Sequence, residues 1–489
     1  MFGRFALSLA IFVSALPCLA QALPDRPEKL KYPALSFKVP RAQDFKTTLK
    51  NGIPVYVSSD ATVSPIVSLT VNWRGGGFME PNGKEGLAQI YGSQLSQGGS
   101  KKMDATKQED RLEDLAATIT SKCDDTDGSI TMRCMAKDFN EVYGMLFDSL
   151  TQPAFAQDRL DLAKRTSKQA VERRNDSVTT IAPYIMGHLL FGEEHFSAKL
   201  PTTASIDSIT RDDLVALHSN ILHPSNFVVA VSGRFDKKNL LDRLNSTLGS
   251  IKPNRMALVP QVPAPDYTRQ PGIYVVDKAA PQAMVVFAFP GMRRSDADWH
   301  AAAVMNHILG GSFTGRLMKK IRSDEGLTYG IRTNLGEGPY WTGDVVGSAQ
   351  TNNNTVAYLL RLAIAEMETL KNVPLTEAEL QTIKDGLIES FPSQWGKQAA
   401  VGTFAQEAIL GWPEDWWTDY RDKIQAVTAD DVQRMARRLL DMDKIVVLTV
   451  GQADTMEAGD HDRPVLLKDT LPLPMKRLPL RDPNTGKPM

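Results

Sequence analysis

The sequence has almost no net charge and no long basic run. Its 489 residues include 56 Lys and Arg against 57 Asp and Glu, which gives a formal net charge of −1. Proteins that bind the phosphate backbone need clustered lysine and arginine, so we do not expect a nucleic acid partner. Hydrophobic residues make up 42% and charged residues 23% of the chain, which is typical of a globular protein rather than a disordered one.

Long apolar runs are missing beyond the N-terminus. Arg4 precedes the apolar stretch 5–16, which is too short to span a bilayer, and residues 20–22 (Ala-Gln-Ala) form a small-residue cleavage site. We therefore predict a signal peptide over residues 1–22, cleaved near Ala22. The mature chain is expected to be periplasmic or secreted, without a membrane span.

Cysteine is scarce, and two cysteines remain after the signal peptide. Cys123 and Cys134 lie on a predicted hairpin that turns near residues 124–128. A turn centred there does not place the two side chains opposite each other. An exported chain permits a disulfide, but the register does not indicate one, so their state stays open at this point.

Metal-ligand spacings are also missing. His300 and His307 lie seven residues apart on a predicted helix, His218 and His223 bracket a helix end, and residues 193–195 (Glu-Glu-His) form a small polar cluster. None of them has the HExxH or CxxC spacing that predicts a zinc site. We interpret them as core or solvated side chains and expect no metal in this chain.

The segment 310–330, GGSFTGRLMKKIRSDEGLTYG, predicts a helix that turns sharply into a strand. Ser312 is the expected N-cap, and Phe313, Leu317 and Ile321 recur on one apolar face. Gly326 is typical of a helix end, and a strand is expected from residue 328. The spacing places Arg322 in the last helical turn and Tyr329 at the strand start. Taken alone, this spacing favours structural roles. Arg322 would complement the negative end of the helix dipole, and Tyr329 would fill a strand position.

The sequence also repeats itself. Residues 208–214 (SITRDDL) match residues 426–432 (AVTADDV) at an offset of 218, and the same offset pairs residues 228–229 with 446–447 and Gly233 with Gly451. Each copy has strands first, then helices, then a closing helix and strand. We predict an α+β fold of two homologous domains from an internal duplication, each an antiparallel-rich sheet packed with helices.

The composition predicts where these domains begin and end, because prolines cluster between and after them. The predicted order is an extended arm over 23–45, a first domain over 46–251, a proline-rich linker over 252–271, a second domain over 272–455 and an extended tail over 456–489.

Residues 80–93, EPNGKEGLAQIYGS, follow a strand and open a helix. This frame resembles the pitrilysin/insulinase family of zinc metallopeptidases, whose helix carries His-x-x-Glu-His. Here Gln89 and Ser93 stand at the two histidine positions, Gly92 at the glutamate base and Gln169 at the third ligand. An amide and a hydroxyl are poor zinc ligands, and glycine cannot accept a proton. The resemblance therefore implies a first domain that has lost its zinc site.

The segment 310–330 resembles the second domain of the same family, in which an Arg and a Tyr at this spacing reach across a closed chamber. The resemblance implies that Arg322 and Tyr329 bind substrate and stabilise the oxyanion in trans. It further implies half of a clamshell chamber, with zinc on a homologous partner subunit and no cofactor in this chain. The expected function is that of the non-zinc subunit of a heterodimeric zinc metalloendopeptidase, inactive alone, that acts on peptides or unfolded proteins.

Two other interpretations stay open. The chain could be a non-catalytic structural or peptide-binding relative of the family, since loss of the zinc residues fits that equally well. It could also be an independent enzyme with a relocated metal site. The intact Arg322 and Tyr329 pair favours the peptidase subunit, because a scaffold has no need of it. The sequence identifies neither the substrate nor the partner.

Overall fold

The computed structural model describes residues 36–489 except 61, 63 and 254–257. The predicted signal peptide and most of the predicted arm lie outside the described residues. By its internal contacts the chain divides after Lys38, and the fold below concerns Val39–Met489. The part of the chain before the predicted linker is called the first half, and the part after it the second half.

The first half contains a six-stranded sheet in the order β1-β2-β6-β3-β5-β4. Its strands alternate buried and exposed side chains or are buried throughout, as strands of a sheet covered by helices do. The strands are β1 (Lys46–Thr48), β2 (Pro54–Ser59), β3 (Ile66–Arg74), β4 (Thr118–Cys123), β5 (Asp127–Met135) and β6 (Phe227–Gly233). Strands β2 and β6 pair in parallel, and the other pairs are antiparallel.

The second half contains a second six-stranded sheet in the order β12-β7-β11-β8-β10-β9. Its strands are β7 (Gly272–Asp277), β8 (Gln282–Pro290), β9 (Ile331–Leu335), β10 (Asp344–Asn352), β11 (Val446–Gly451) and β12 (Met475–Leu478). Strand β11 lies in parallel beside β7, as β6 lies in parallel beside β2 in the first sheet. Two mixed sheets with helices confirm the α+β class.

Helices cover both sheets. In the first half they are α1 (Ala42–Phe45), α2 (Leu87–Gln97), α3 (Ala105–Asp114), α4 (Phe139–Thr151), α5 (Gln157–Glu172), α6 (Val178–Phe191), α7 (Thr203–Ser208), α8 (Arg211–Ile221) and α9 (Lys237–Ser246). In the second half they are α10 (Trp299–Asn306), α11 (Val356–Asn372), α12 (Glu377–Ser390), α13 (Lys397–Leu410), α14 (Tyr420–Ala426), α15 (Ala429–Leu439) and α16 (Ala453–Ala458). None of the helices in the described part of the chain is both long and apolar enough to cross a membrane.

The repeat in the sequence has a matching structure. Helix α8 begins after Thr210, whose side chain accepts from the backbone of Asp213 while the Asp213 carboxylate accepts from the backbone of Thr210. Helix α15 begins with the same reciprocal cap between Thr428 and Asp431. These caps lie 218 residues apart, as the sequence offset requires, because Thr-x-x-Asp satisfies two free backbone donors at a helix start.

One helix of each half packs against the sheet of the other half. The apolar face of α6, with Val178, Ile181 and Ile185, shares a buried cluster with strands β7, β8 and β11. In return, α13 packs on β2, β3 and β6. Arg74 at the end of β3 donates from Nε to the carbonyl of Ile409 at 2.9 Å and so satisfies the C-terminus of α13.

The ranges predicted as an arm and a tail contain short regular elements. Residues 42–45 of the arm form α1, and residues 475–478 of the tail form β12, which pairs in parallel with β7 at the edge of the second sheet. The linker residues described between 252 and 271 form neither helix nor strand. Cys123 faces Gly128 across the hairpin, Cys134 faces Val67, and both thiols are free and buried.

Candidate functional site

Glu80 determines where helix α2 begins. This is the helix that resembles the zinc-motif helix of the pitrilysin/insulinase family. Its carboxylate accepts from the backbone N–H of Ala88 at 2.7 Å and of Gly86 at 3.3 Å. Gly86 has φ +100, a left-handed conformation that favours glycine, and the helix begins after it at Leu87. A carboxylate at the positive end of a helix is favourable, so Glu80 takes the role of a capping residue from outside the helix.

Burial raises the pKa of Glu80 to about 7, although the two backbone hydrogen bonds oppose this shift. The negative charges of Glu85 and Asp125 raise the pKa of Glu80 further. No cation pairs with Glu80 among the described residues. The charge of Glu80 is therefore compensated by the backbone N–H groups at the start of α2 and not by a side-chain cation.

Gly92 lies where α2 touches the edge strand β4. A Cβ atom added at Gly92 would lie 2.2 Å from the backbone N of Cys123 and 2.7 Å from the backbone carbon of Lys122. The Ser121 hydroxyl donates to the carbonyl of Gly92 at 2.5 Å. Because the neighbour is backbone and cannot rotate away, this helix position excludes every side chain, including the glutamate of the family motif.

The other positions of the predicted zinc frame carry no metal chemistry. Gln89 is exposed on α2, and the Ser93 hydroxyl donates to the carbonyl of Ile90 at 2.8 Å. Gln169 is exposed on α5, which packs along α2. Among the described residues, no group of three His, Cys, Asp or Glu side chains is placed to hold a metal ion. Together with an occluded Gly92, these residues do not fit zinc.

The histidines considered in the sequence are core residues or lie in aromatic clusters. The Tyr91 hydroxyl and the Nδ1 atom of His218 lie 3.1 Å apart inside the first core. Burial lowers the pKa of His218 to about 4 and that of His300, which stacks on Trp416, to about 4 as well. Both imidazoles are therefore neutral at pH 7.

The helix at 310–330 differs from its prediction. Two π-helical segments, His307–Gly311 and Met318–Asp324, flank the turn around residues 312–315. Leu317 and Ile321 are buried as predicted, but Phe313 is 67% exposed and does not share their face. The prediction for Phe313 was wrong because the chain forms a turn before residue 316, so its spacing to Leu317 is not helical.

The end of this helix follows the sequence prediction. Gly326 has φ +65, and the backbone N–H groups of Gly326 and Leu327 donate to the carbonyls of Arg322 and Ile321 at 3.1 and 3.0 Å. This glycine-terminated pattern satisfies carbonyls that a helix end leaves free. Strand β9 begins at Ile331, so Tyr329 lies in the preceding turn and not at the strand start as predicted.

Arg322 and Tyr329 are both available on the surface of this corner. Tyr329 is 91% exposed, and the Arg322 guanidinium lies 4.9 Å from the centre of the Phe313 ring. No hydrogen bond or ion pair within the described residues holds either side chain. The corner thus carries a guanidinium beside an exposed benzyl ring, and a phenol, whose polar groups make no hydrogen bond within the described residues.

The backbone beneath this corner is fixed by ion pairs. Glu325, between Arg322 and Tyr329, lies 3.1 Å from the ammonium of Lys320 and accepts from the Tyr358 hydroxyl of α11 at 3.2 Å. Arg316 at the start of the helix makes a bidentate pair with Glu379 of α12, at 2.7 and 2.8 Å. Bidentate Arg–carboxylate pairs are geometrically specific, so they orient the helix that carries Arg322.

The sequence analysis missed a cavity of about 620 Å³ beside the start of α2. The 77–85 turn, the 191–199 loop and the linker around Tyr267 line it. The cluster 193–195, interpreted in the sequence as core or solvated side chains without metal-ligand spacing, lies on its wall. The available signal was the interleaving of acidic and aromatic residues at 191–196 (Phe-Gly-Glu-Glu-His-Phe), but nothing in their spacing connects this loop with the linker.

Comparison with known families assigns part of the chain. A family model described as the peptidase M16 inactive domain matches residues 208–387. A protein of Helicobacter pylori named "Non-peptidase homolog YmxG" is 26% identical over 332 residues, which cover 67% of this chain and 75% of that protein.

Two solved structures share the fold. A peptidase M16 inactive domain from Pseudomonas fluorescens superimposes with a TM-score of 0.74 and 22% identity, over 83% of this chain and 97% of that chain. The periplasmic protease PqqL of Escherichia coli superimposes with a TM-score of 0.70 and 15% identity, over 91% of this chain but 49% of its own. At these identities the likeness concerns the fold alone.

Proposed function

Because this chain belongs to the M16 (pitrilysin/insulinase) family and carries its inactive domain, we propose that it is the non-zinc subunit of a two-chain zinc metalloendopeptidase. The observation that carries the proposal is the contrast between the two halves. In the first half, Gly92 leaves no space for a catalytic side chain. In the second half, Arg322 and Tyr329 lie on a fixed backbone, and no hydrogen bond or ion pair within the described residues holds their side chains.

The proposed division of labour is chemically consistent. A zinc-bearing partner subunit would activate the attacking water, which Gln89, Gly92, Ser93 and Gln169 cannot do. Arg322 and Tyr329 would donate hydrogen bonds to the substrate carbonyl oxygen as negative charge develops on it. One such donor typically contributes about 3–4 kcal/mol of transition-state stabilisation. Peptides or unfolded proteins, whose backbone can enter a closed site, are the proposed substrates.

The architecture supports a second part of the proposal. Five strands of each sheet follow one order, β2-β6-β3-β5-β4 and β7-β11-β8-β10-β9, and the helix caps recur at the same offset, which an internal duplication explains. PqqL is about twice as long as the part that this chain covers, so a second chain of similar size would supply the remaining half. We infer that this chain and a zinc-bearing homologue each form half of a clamshell chamber outside the cytoplasm, since the sequence predicts export.

The central experiment measures peptide hydrolysis and zinc content of the mature chain, of a zinc-motif relative encoded in the same genome, and of their mixture. We expect activity in the mixture and zinc on the relative. Zinc together with activity in this chain alone would contradict the proposal. A mixture no faster than the zinc-bearing relative alone would instead favour a non-catalytic relative, an alternative that the name of the Helicobacter pylori protein supports.

Substitution of the exposed pair tests its role directly. In the mixture we expect Arg322→Ala and Tyr329→Phe each to lower kcat/KM about 100-fold or more, because each removes a donor to the oxyanion. Arg332→Ala is the matched control, since Arg332 is exposed on the neighbouring strand β9. Circular dichroism checks that the variants are folded. Wild-type rates from both variants would refute the assignment of the pair.

A further inference from the structure

The cavity beside the start of α2, introduced above, is walled by aromatic side chains. Phe78 comes from the 77–85 turn, Phe191 from the end of α6, Phe196 from the loop after α6, and Tyr267 from the linker. Trp341 of the second half packs behind them, 6.2 Å from Phe191 and 6.0 Å from Phe196 between ring centres. Aromatic rings attract cations through their negative faces.

The same cavity has an excess of negative charge. Glu80, Glu85 and Asp266 line it, and none of them pairs with a cation among the described residues. Glu193 is engaged by Arg481, and Lys199 lies 3.7 Å from Glu194 while donating to Asn82 at 2.9 Å. Glu80 accepts from the backbone at the start of α2, so the carboxylates of Glu85 and Asp266 are the two that remain without a counter-charge around this space.

His195 adds no positive charge to this wall. Its ring stacks on Phe191 and lies 4.3 Å from that of Phe196, between ring centres. Burial lowers its pKa, so the imidazole is neutral at pH 7. Its Nε2 atom lies 3.4 Å from the carbonyl of Pro263 and links the loop to the linker.

A close contact between Gly192 and Tyr267 holds two walls of the cavity together. Gly192 has φ +77, and a Cβ atom there would lie 2.8 Å from the Tyr267 ring. A side chain at this position would be both strained and in collision, so glycine allows the linker to lie directly on the loop. The cavity is thus already formed in the unliganded chain, which lowers the cost of binding.

We propose that this cavity binds the basic side chain of a peptide, with the aromatic rings around its stem and the carboxylates of Glu85 and Asp266 beside its cationic head. A volume of about 620 Å³ holds more than one side chain, so neighbouring peptide residues also fit. The inference goes beyond the proposed function, because the cavity lies within this chain and binds without a zinc-bearing partner.

The test uses two fluorescein-labelled pentapeptides that differ in one group. One is Ala-Ala-Arg-Ala-Ala, and the other carries citrulline, the uncharged isostere, in place of arginine. Fluorescence anisotropy with the mature chain alone should give at least tenfold tighter binding of the arginine peptide. The double variant Glu85→Gln/Asp266→Asn should lose most of that preference, since both charges beside the cationic head are removed while the side-chain sizes are kept.

A matched variant separates the cavity from general electrostatic attraction. Glu389→Gln/Asp422→Asn removes the same net charge from exposed positions on α12 and α14, outside the cavity. This variant should keep the full preference for arginine. Equal affinity for the two peptides, no binding of either peptide, or equal loss of preference in both double variants would each overturn the proposal.

Arg322→Ala distinguishes this inference from the proposed function. The substitution is expected to lower kcat/KM for hydrolysis about 100-fold or more in the mixture with a zinc-bearing relative and to leave arginine-peptide binding by this chain unchanged. A preference for arginine that persists where hydrolysis is never found would support the cavity and refute the peptidase role. Loss of the preference in Arg322→Ala would place the peptide at the corner of Arg322 and contradict the cavity.

Discussion

At the scale of single residues, Gly92 is informative because a steric contact explains why glycine occupies this helix position. A glycine inside a helix costs about 1 kcal/mol relative to alanine, so its presence in α2 requires an explanation. The explanation is the backbone of β4, which lies where a Cβ atom would be. The sequence shows that the catalytic glutamate is missing. It does not show that the space for it has closed, because the contact joins segments thirty residues apart.

This contact predicts the effect of adding one methyl group. Gly92→Ala should lower the free energy of unfolding by about 2 kcal/mol, because overpacking against rigid neighbours costs about 1–3 kcal/mol and outweighs the gain in helix propensity. Gly386→Ala, at an exposed position of α12 with nothing within 4 Å, should instead raise it by about 0.5–1 kcal/mol. Urea titration measures both, and a stabilised Gly92→Ala would contradict the close approach.

Glu80 makes stability depend on pH in a definite direction. Its pKa is raised to about 7 in the folded chain from 4.5, so between these values the folded chain holds a proton that the unfolded chain has released. Stability from this group is therefore full below pH 4.5 and falls as the pH rises through 7. Relative to Glu80→Gln, the wild type should lose roughly 3 kcal/mol between pH 4.5 and 8.

The pH prediction is checked by urea unfolding of both chains across this range. Glu377→Gln, which removes an exposed carboxylate from the first turn of α12, serves as the control and should show no such difference from the wild type. If the difference between wild type and Glu80→Gln stays constant with pH, then burial does not raise the pKa of Glu80 in the folded chain.

At the scale of elements, the sequence predicted the closing helix and strand of each half because their signals are local. Thr210 with Asp213, and Thr428 with Asp431, specify two helix starts within four residues each. The corner at Arg322 was predicted less well. Gly326 ends its helix as expected, but the π-helical segments change the spacing that the prediction assumed. Their position depends on packing against neighbouring elements and leaves no periodic signal.

The exchange of α6 and α13 between the halves was not predicted at all. An apolar helix face shows that a helix is buried, but not which sheet it covers. The exchange has a measurable effect on the first sheet. Phe404 of α13 packs 6.0 Å from Tyr56 of β2 between ring centres, so Phe404→Ala should cost about 3–5 kcal/mol.

Hydrogen exchange shows which strands the Phe404→Ala substitution destabilises. Amides of β2 and β6 should exchange faster in Phe404→Ala, although the substitution lies in the second half of the sequence. The control is Gln406→Ala at an exposed position of the same helix, which should leave these amides protected. Faster exchange confined to the second sheet would show that α13 does not stabilise the first.

At the scale of the whole molecule, the exchanged helices predict a single unfolding transition. Chains of this length often unfold domain by domain, because each domain has its own core. Here the buried cluster around α6 contains residues of both halves, so loss of one sheet uncovers the other. Trp73 in β3 and Trp299 in α10, each kept as a lone reporter, should therefore change fluorescence at the same urea concentration. Separate midpoints would show independent halves.

The exchange of α6 and α13 between the halves also gives the linker a further role. If residues 252–271 were cut, each half would still hold a helix that the other half needs, and the two fragments would be interlocked like the subunits of a domain-swapped dimer. The continuous chain is in this sense a dimer of unlike halves that one covalent linker joins. Its linker keeps the two mutually dependent halves at a fixed ratio. The same linker carries Tyr267 into the wall of the cavity beside the start of α2.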